Sequence, residues 1–213
     1  MTQIDHVFVF PRDIDGLRQR LEDAGLVPSF SRAHPGQGTA NLCYCFENTY
    51  LELLWVEDPT AGQDPQVART ALMKRGSGDG SVCPVGVAWR DDGAGPLDIE
   101  TWDYAPPFLP PGVSIPVATE SDDPAAPFLF RSPGTHPPAE WTDGRAGALQ
   151  RGAGLGAVAC ITLQYPPDYR PGLSITVLAR QSMLCLKRAS RWCLSIAVSR
   201  YSGPEHLLLN DIA

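Results

Sequence analysis

The sequence contains no run of lysines and arginines longer than two. Its 213 residues carry 17 basic and 24 acidic side chains, a formal net charge of −7. The basic stripe that a nucleic-acid surface requires is therefore missing, which argues against nucleic acid as a partner. No stretch approaches the roughly 20 apolar residues of a membrane-spanning helix. The start, Met1-Thr2-Gln3-Ile4-Asp5-His6, has no basic segment leading into an apolar one, so no membrane association is expected and the chain reads as soluble and cytoplasmic. The six cysteines, Cys43, Cys45, Cys83, Cys160, Cys185 and Cys193, form no CxxC pair. Without that motif a structural zinc or a redox dithiol is not indicated, and most of these thiols lie in apolar strand-like runs where they act as small hydrophobes. There is no Gly-x-Ser-x-Gly elbow, and the loop Gly144-Arg145-Ala146-Gly147 matches neither Gly-rich nucleotide pattern. A serine hydrolase has no positive case, and no nucleotide cofactor is expected.

What is present is a histidine and a glutamate inside two apolar strands. His6 lies in Ile4-Asp5-His6-Val7-Phe8-Val9-Phe10 and Glu52 in Tyr50-Leu51-Glu52-Leu53-Leu54-Trp55. Side chains alternate along a strand, so His6, Phe8 and Phe10 share one face, and Tyr50, Glu52 and Leu54 share another. If the strands join one sheet with those faces aligned, an imidazole and a carboxylate look into one concavity. That is half of a metal site or an acid/base pair. Burial raises a carboxylate pKa and an imidazole holds a proton near neutrality, so such a pair can enolise a carbonyl compound.

Between these strands, Leu17, Leu21 and Ala24 form a helical stripe closed by Gly25, and two further strands follow, giving the order β-α-β-β-β. Residues 64–74 read as a linking helix and 85–89 as a strand. The Pro-rich stretch 105–116 cannot be a central strand or a helix, because proline lacks the donor and fixes φ. The last third again reads β-α-β-β-β, with its helix at about 173–180 despite the β-branched Ile175, Thr176 and Val177. One 213-residue unit is expected, with a first module over 1–60, a degenerate second module over 82–134 and a further βαβββ-like segment over 155–210.

Other residues are candidates for binding. In His34-Pro35-Gly36-Gln37-Gly38-Thr39-Ala40-Asn41 the glycines permit positive φ and close backbone approach, and Thr39 and Asn41 fall on one face of the next strand. His34, Thr39 and Asn41 can address a ligand or simply satisfy local backbone groups. Trp102 and Tyr104 share a face if their segment is extended, with Phe108 and Trp141 as an aromatic lid; core packing is the alternative. Arg90 and Arg131, each at a strand end, can bind a carboxylate or stay solvated.

The element order, with Ile4-Asp5-His6-Val7, the 34–41 segment and Tyr50-Leu51-Glu52-Leu53-Leu54, resembles the vicinal oxygen chelate superfamily, and within it the glyoxalase-like domain family. The resemblance covers about the first third of the chain; Thr101-Trp102-Asp103-Tyr104 with Pro106-Pro107 is similar to the family's middle region. It implies an α+β fold of paired βαβββ modules, a cupped, partly open mixed sheet around a cavity. It further implies a lyase, isomerase or dioxygenase acting on a small carbonyl or vicinal-oxygen compound, or a non-catalytic binding protein of the bleomycin-resistance type. A divalent metal held by His6 and Glu52 and a homodimer are also implied by resemblance alone. The second module departs from the pattern, since the positions facing His6 fall near Gly86 or Ala157, and neither ligates a metal.

Overall fold

The computed structural model describes residues 2–91, 95 and 97–209. The first module runs β1 (Gln3–Val9), α1 (Ile14–Asp23), β2 (Phe30–His34), β3 (Thr39–Cys45) and β4 (Tyr50–Val56). Asp13 caps α1 by accepting from the Gly16 amide, and Leu17 and Leu21 are its buried stripe. The expected linking helix is two short helices, α2 (Pro65–Thr70) and α3 (Leu72–Arg75). They break at Ala71, whose φ is +54°. The Thr70 hydroxyl donates to the Val67 carbonyl and accepts from the Leu72 amide, diverting the backbone from its helical partners. The Arg75 side chain at the end of α3 is 2% exposed. It donates to the carbonyls of Cys83, Ala126 and Ser121, tying the linker to the chain that follows.

Four strands come next, β5 (Val85–Arg90), β6 (Thr101–Tyr104), β7 (Ile115–Ala118) and β8 (Phe128–Arg131). They join the first four in one eight-stranded mixed sheet ordered β2-β3-β4-β1-β5-β8-β7-β6. That order is a palindrome: β1 pairs parallel with β4, β5 pairs parallel with β8, and β1 meets β5 antiparallel at the centre. The expected paired, cupped α+β sheet is therefore the fold, with the second half built around β5 to β8 and no helix among the described residues between β5 and β6.

The remainder is β9 (Leu155–Tyr165), α4 (Leu173–Gln181), β10 (Leu184–Arg188), β11 (Cys193–Arg200) and β12 (Gly203–Leu209). The β-branched stretch is helical after all, because Ile175 and Leu178 bury into the core and Glu120 accepts from the Ser174 amide at the helix start. The element order is β-α-β-β-β, but the strand order is β10-β9-β11-β12 with β9 parallel to β10. That connectivity differs from β2-β3-β4-β1, in which the first strand pairs with the fourth. This smaller sheet is joined to the first module by Asn48, whose side chain donates to the Val158 carbonyl and accepts from the Val158 amide. One face of the large sheet (Val7, Leu51, Val87, Leu129), α1, α4 and the small sheet (Ile161, Leu163, Ile196) form one continuous core. His6, Phe8 and Glu52 alternate onto the other face of the large sheet.

The β2–β3 hairpin that edges this face is anchored at Gly38. Its φ is +74° and a Cβ there would lie 2.2 Å from the Asp58 carbonyl oxygen. The Gly38 carbonyl also accepts from the Glu57 and Asp58 amides. Gly38→Ala is expected to cost about 3 kcal/mol, from left-handed strain plus steric overlap. Urea denaturation checks this; a loss below about 0.5 kcal/mol, the range of an unremarkable surface change, would show that the loop is not so constrained.

Candidate functional site

The site begins with an irregularity in β1. Ile4 pairs with Trp89 and His6 with Ala88, so Asp5 is an extra residue bulged from the ladder. A bulge re-aims side chains, and this one brings the Asp5 carboxylate beside its neighbour's ring: Oδ2 lies 2.7 Å from His6 Nδ1. On the other side, Arg90 Nη1 donates to Asp5 Oδ1 at 2.8 Å, and its remaining nitrogens donate to Gln3 Oε1 and the Asn48 carbonyl. Arg90 is 1% exposed, so the strand-end arginine is a buried carboxylate partner, not a solvated one. Burial pushes the Asp5 carboxyl up, but the hydrogen bonds and charges of His6 and Arg90 outweigh it and hold the group below its ordinary value.

An ionised Asp5 fixes the tautomer of His6. Nδ1 must carry a proton to bond a carboxylate, so Nε2 is the nitrogen that faces the cavity. Glu52 Oε2 stands 3.5 Å from Nε2, too long for a good hydrogen bond and near enough to share a substrate. The other carboxylate oxygen, Oε1, accepts from Asn41 Nδ2 at 2.6 Å. His6 lies flat on Tyr50, its direct cross-strand neighbour, with ring centroids 4.4 Å apart and an interplanar angle of 17°.

A cavity of about 360 Å³ opens over this pair, a size suited to a small organic molecule. His6, Glu52, His34, Asn41 and Tyr104 all line it, with Phe108 and Trp141 among its walls. Thr39 and Trp102 do not line it. Thr39 is fully enclosed, its hydroxyl taken by His34 Nδ1 and Gln37 Nε2. Trp102 lies beneath the Arg69 guanidinium, 4.0 Å from its ring centroid. Tyr104 reaches the site by donating its hydroxyl hydrogen to Gln37 Oε1 at 3.0 Å. Burial, with the nearby Arg32 and His6, lowers the His34 pKa against the opposing charge of Glu52, and the ring stays neutral. Its Nδ1–H then donates to Thr39, and Nε2 faces Asn41 at 3.4 Å.

Asp5, Gln37, Tyr50, Arg32 and Arg145 were not singled out as site residues by the sequence, although all line the cavity. The Asp5 bulge leaves no periodicity signal. Tyr50 was visible as the residue two before Glu52 on its face. Arg32 and Arg145 were legible only as isolated charges.

The second half of the sheet explains why the donor set stops at two. The palindrome carries Val7 onto Val87, so His6 maps onto Gly86, and Glu52, through Phe8 and Ala88, maps onto Phe130. A Cβ at Gly86 would lie 2.1 Å from the Phe8 ring. The counterpart of the histidine is thus a space filled by an aromatic ring, and Phe8, Phe128 and Phe130 cluster there. Among the described residues no three His, Cys, Asp or Glu side chains gather around one point. His136 pairs with Glu140 on the surface and His206 is exposed on β12. The residues present do not fit an ordinary divalent-metal site, which takes three or four protein ligands.

With this geometry in view, residues 4–98 match the family model described as a glyoxalase-like domain. Over that stretch the chain is similar to the glyoxalase-like family. The match covers less than half of the sequence. No curated protein matches the chain. Among solved structures, a methylmalonyl-CoA epimerase in complex with methylmalonyl-CoA and NH4+ is 18% identical, over 64% of this chain and 99% of that one, with a TM-score of 0.38. A hypothetical protein from Staphylococcus aureus is 9% identical over 90% and 88%, with a TM-score of 0.47. A mutant 4-hydroxymandelate synthase from Streptomyces coelicolor is 13% identical over 98% and 62%, with a TM-score of 0.43. At these values no activity and no residue role carries over. No described helix is long and apolar enough to cross a membrane.

The candidate site has a built-in acid dependence. Asp5 has a folded pKa below the ordinary 3.8, so its contribution to stability is present above that value and is lost as pH falls through the lower folded one. Asp5→Asn is expected to flatten the fall in urea midpoint between pH 5 and pH 2.5 relative to the wild type. Parallel profiles would show that the Asp5–Arg90 pair contributes no linkage.

Proposed function

We propose that the glyoxalase-like domain is an enzyme of isomerase type that moves a proton on a small carbonyl compound, using Glu52 and His6 without a metal. The observation that carries this reading is the opposed pair, Nε2 and Oε2, 3.5 Å apart at the floor of the cavity. Asp5 orients one member and Asn41 the other, so each presents one free atom to a bound molecule. Glu52 Oε2 takes the proton from the carbon next to the carbonyl, and the electron pair moves onto the carbonyl oxygen. His6 Nε2–H, present when the ring is charged, donates to that oxygen. Return of the proton to the other face of the carbon, or to a neighbouring atom, completes the isomerisation.

The walls supply the selection. Phe8, Leu54 and Phe128 give the floor an apolar side, and Tyr50, Phe30 and Trp141 form an aromatic one. At the rim Arg145 lies over Trp141, 3.8 Å from the ring centroid. Arg32 is exposed on β2, with no hydrogen-bond or ion-pair partner for its guanidinium among the described residues. A ligand with an apolar body and a carboxylate end fits both. The same apolar walls favour one other reading, sequestration of an aromatic compound without chemistry.

Proton exchange separates the two. Phenylpyruvate, an aromatic 2-oxo acid, is incubated with the protein in D2O and followed by NMR. Deuterium is expected to enter the carbon next to the carbonyl faster than in buffer, and Glu52→Gln is expected to slow the enzymatic rate at least about 100-fold. Binding seen by thermal shift with no exchange would favour sequestration, and an unchanged rate in Glu52→Gln would remove that residue from the mechanism. Arg32→Gln is expected to raise the apparent KM for this anion about 10-fold or less, in keeping with loss of one exposed charge contact, while kcat holds. Equal KM values would mean that the rim does not read the carboxylate.

A further inference from the structure

The sequence offered no CxxC pair, yet the fold assembles two thiols from different strands. Cys160 on β9 and Cys185 on β10 are 25 positions apart in sequence, and their sulfurs lie 3.4 Å from each other. The strands are parallel neighbours, with Cys185 opposite Thr162, so the two cysteines are diagonal on the same face of the small sheet. Cys185 is exposed and Cys160 half-buried, whereas Cys43, Cys45, Cys83 and Cys193 are all buried. Of the six thiols, these two alone combine solvent access with a sulfur partner.

We propose that Cys160 and Cys185 are a redox-active dithiol that small-molecule disulfides convert into an intramolecular disulfide. The exposed Cys185, as its thiolate, attacks one sulfur of a disulfide RSSR, forming a Cys185–S–S–R mixed disulfide and releasing RS−. The Cys160 thiolate then attacks Cys185 Sγ, the new S–S bond forms, and the second RS− leaves. Both released thiolates take up the protons that the two cysteines gave up, so two electrons pass from the protein to RSSR and two RSH result. The sulfurs must close from 3.4 Å to about 2.05 Å. β10 is the edge strand of its sheet and has neighbours on one side only, so it is the strand that can yield.

The bond would span β9, α4 and β10, closing the crossover on itself. Because Glu120 from the large sheet's second half holds the start of α4, oxidation would also stiffen the seam between the two sheets. The native protein is incubated with oxidised glutathione, denatured, alkylated with iodoacetamide and mapped by mass spectrometry. The expected result is four alkylated cysteines and one peptide pair linked through Cys160 and Cys185, reversed by dithiothreitol. Cys160→Ser is expected to stop at a glutathione adduct on Cys185. Six alkylated cysteines in the treated wild type, a wild-type end state with glutathione still on Cys185, or a link between other cysteines would each overturn the proposal. The wild-type map decides the matter even if the variant does not fold.

Discussion

Everything in the site depends on how β1 meets β5. The two strands run antiparallel at the centre of the eight-stranded sheet, and this one seam sets three things together. It fixes which face His6 shows, it decides that Gly86 stands where a second ligand would otherwise stand, and its bulge frees Asp5 to reach the His6 ring. The seam also delivers Arg90 from the second half to the first. Removing either partner of the buried Asp5–Arg90 pair would leave an uncompensated charge, a loss of about 3–5 kcal/mol in comparable cases. The two halves are therefore coupled by the same contact that orients the candidate catalytic histidine.

Charge compensation gives the site its polarity. Asp5 is matched by Arg90 and His6, so its charge is compensated where it meets the cavity. Glu52 has one oxygen held by Asn41 and one directed toward His6. The hydrogen-bonded chain continues from Asn41 through His34, Thr39 and Gln37 to Tyr104, crossing from the first half of the sheet to the edge strand of the second. Such networks specify one arrangement when every member is satisfied. A Thr39 that never touches ligand can then still matter, because it holds the ring of a residue that does line the cavity.

The sequence made the first module legible because its signals are local and periodic. Alternation in the strand around His6 and in the strand around Glu52 placed both side chains on one face, and Leu17 and Leu21 of the expected α1 stripe are buried, whereas Ala24 is exposed at the helix end. The counterpart of His6 was readable only as near Gly86 or near Ala157, and the strand order decides for Gly86. What was not legible came from tertiary context. A one-residue bulge does not alter composition, so Asp5 was passed over. Arg90 was legible as a carboxylate binder or a solvated strand end, and only its burial against Asp5 decides between them. The break at Ala71 depends on a threonine hydroxyl bonding back to its own helix. The last third has the element order of a module, yet its strand order is different, because pairing partners are chosen by packing rather than by sequence succession. Trp102 and Tyr104 share a strand, but only Tyr104 reaches the cavity, a distinction that alternation alone cannot draw.

The central claim is that His6 and Glu52 form a proton-transfer pair in a half-site whose other half is an aromatic cluster, and not one side of a metal cage. Metal content measured after loading with Mn2+, Fe2+ or Zn2+ and gel filtration, alongside the deuterium exchange rate with and without a chelator, tests it directly. The account predicts far less than one metal per chain and an exchange rate that the chelator leaves unchanged. One tightly held metal per chain, lost in His6→Ala, with exchange abolished by the chelator, would contradict it.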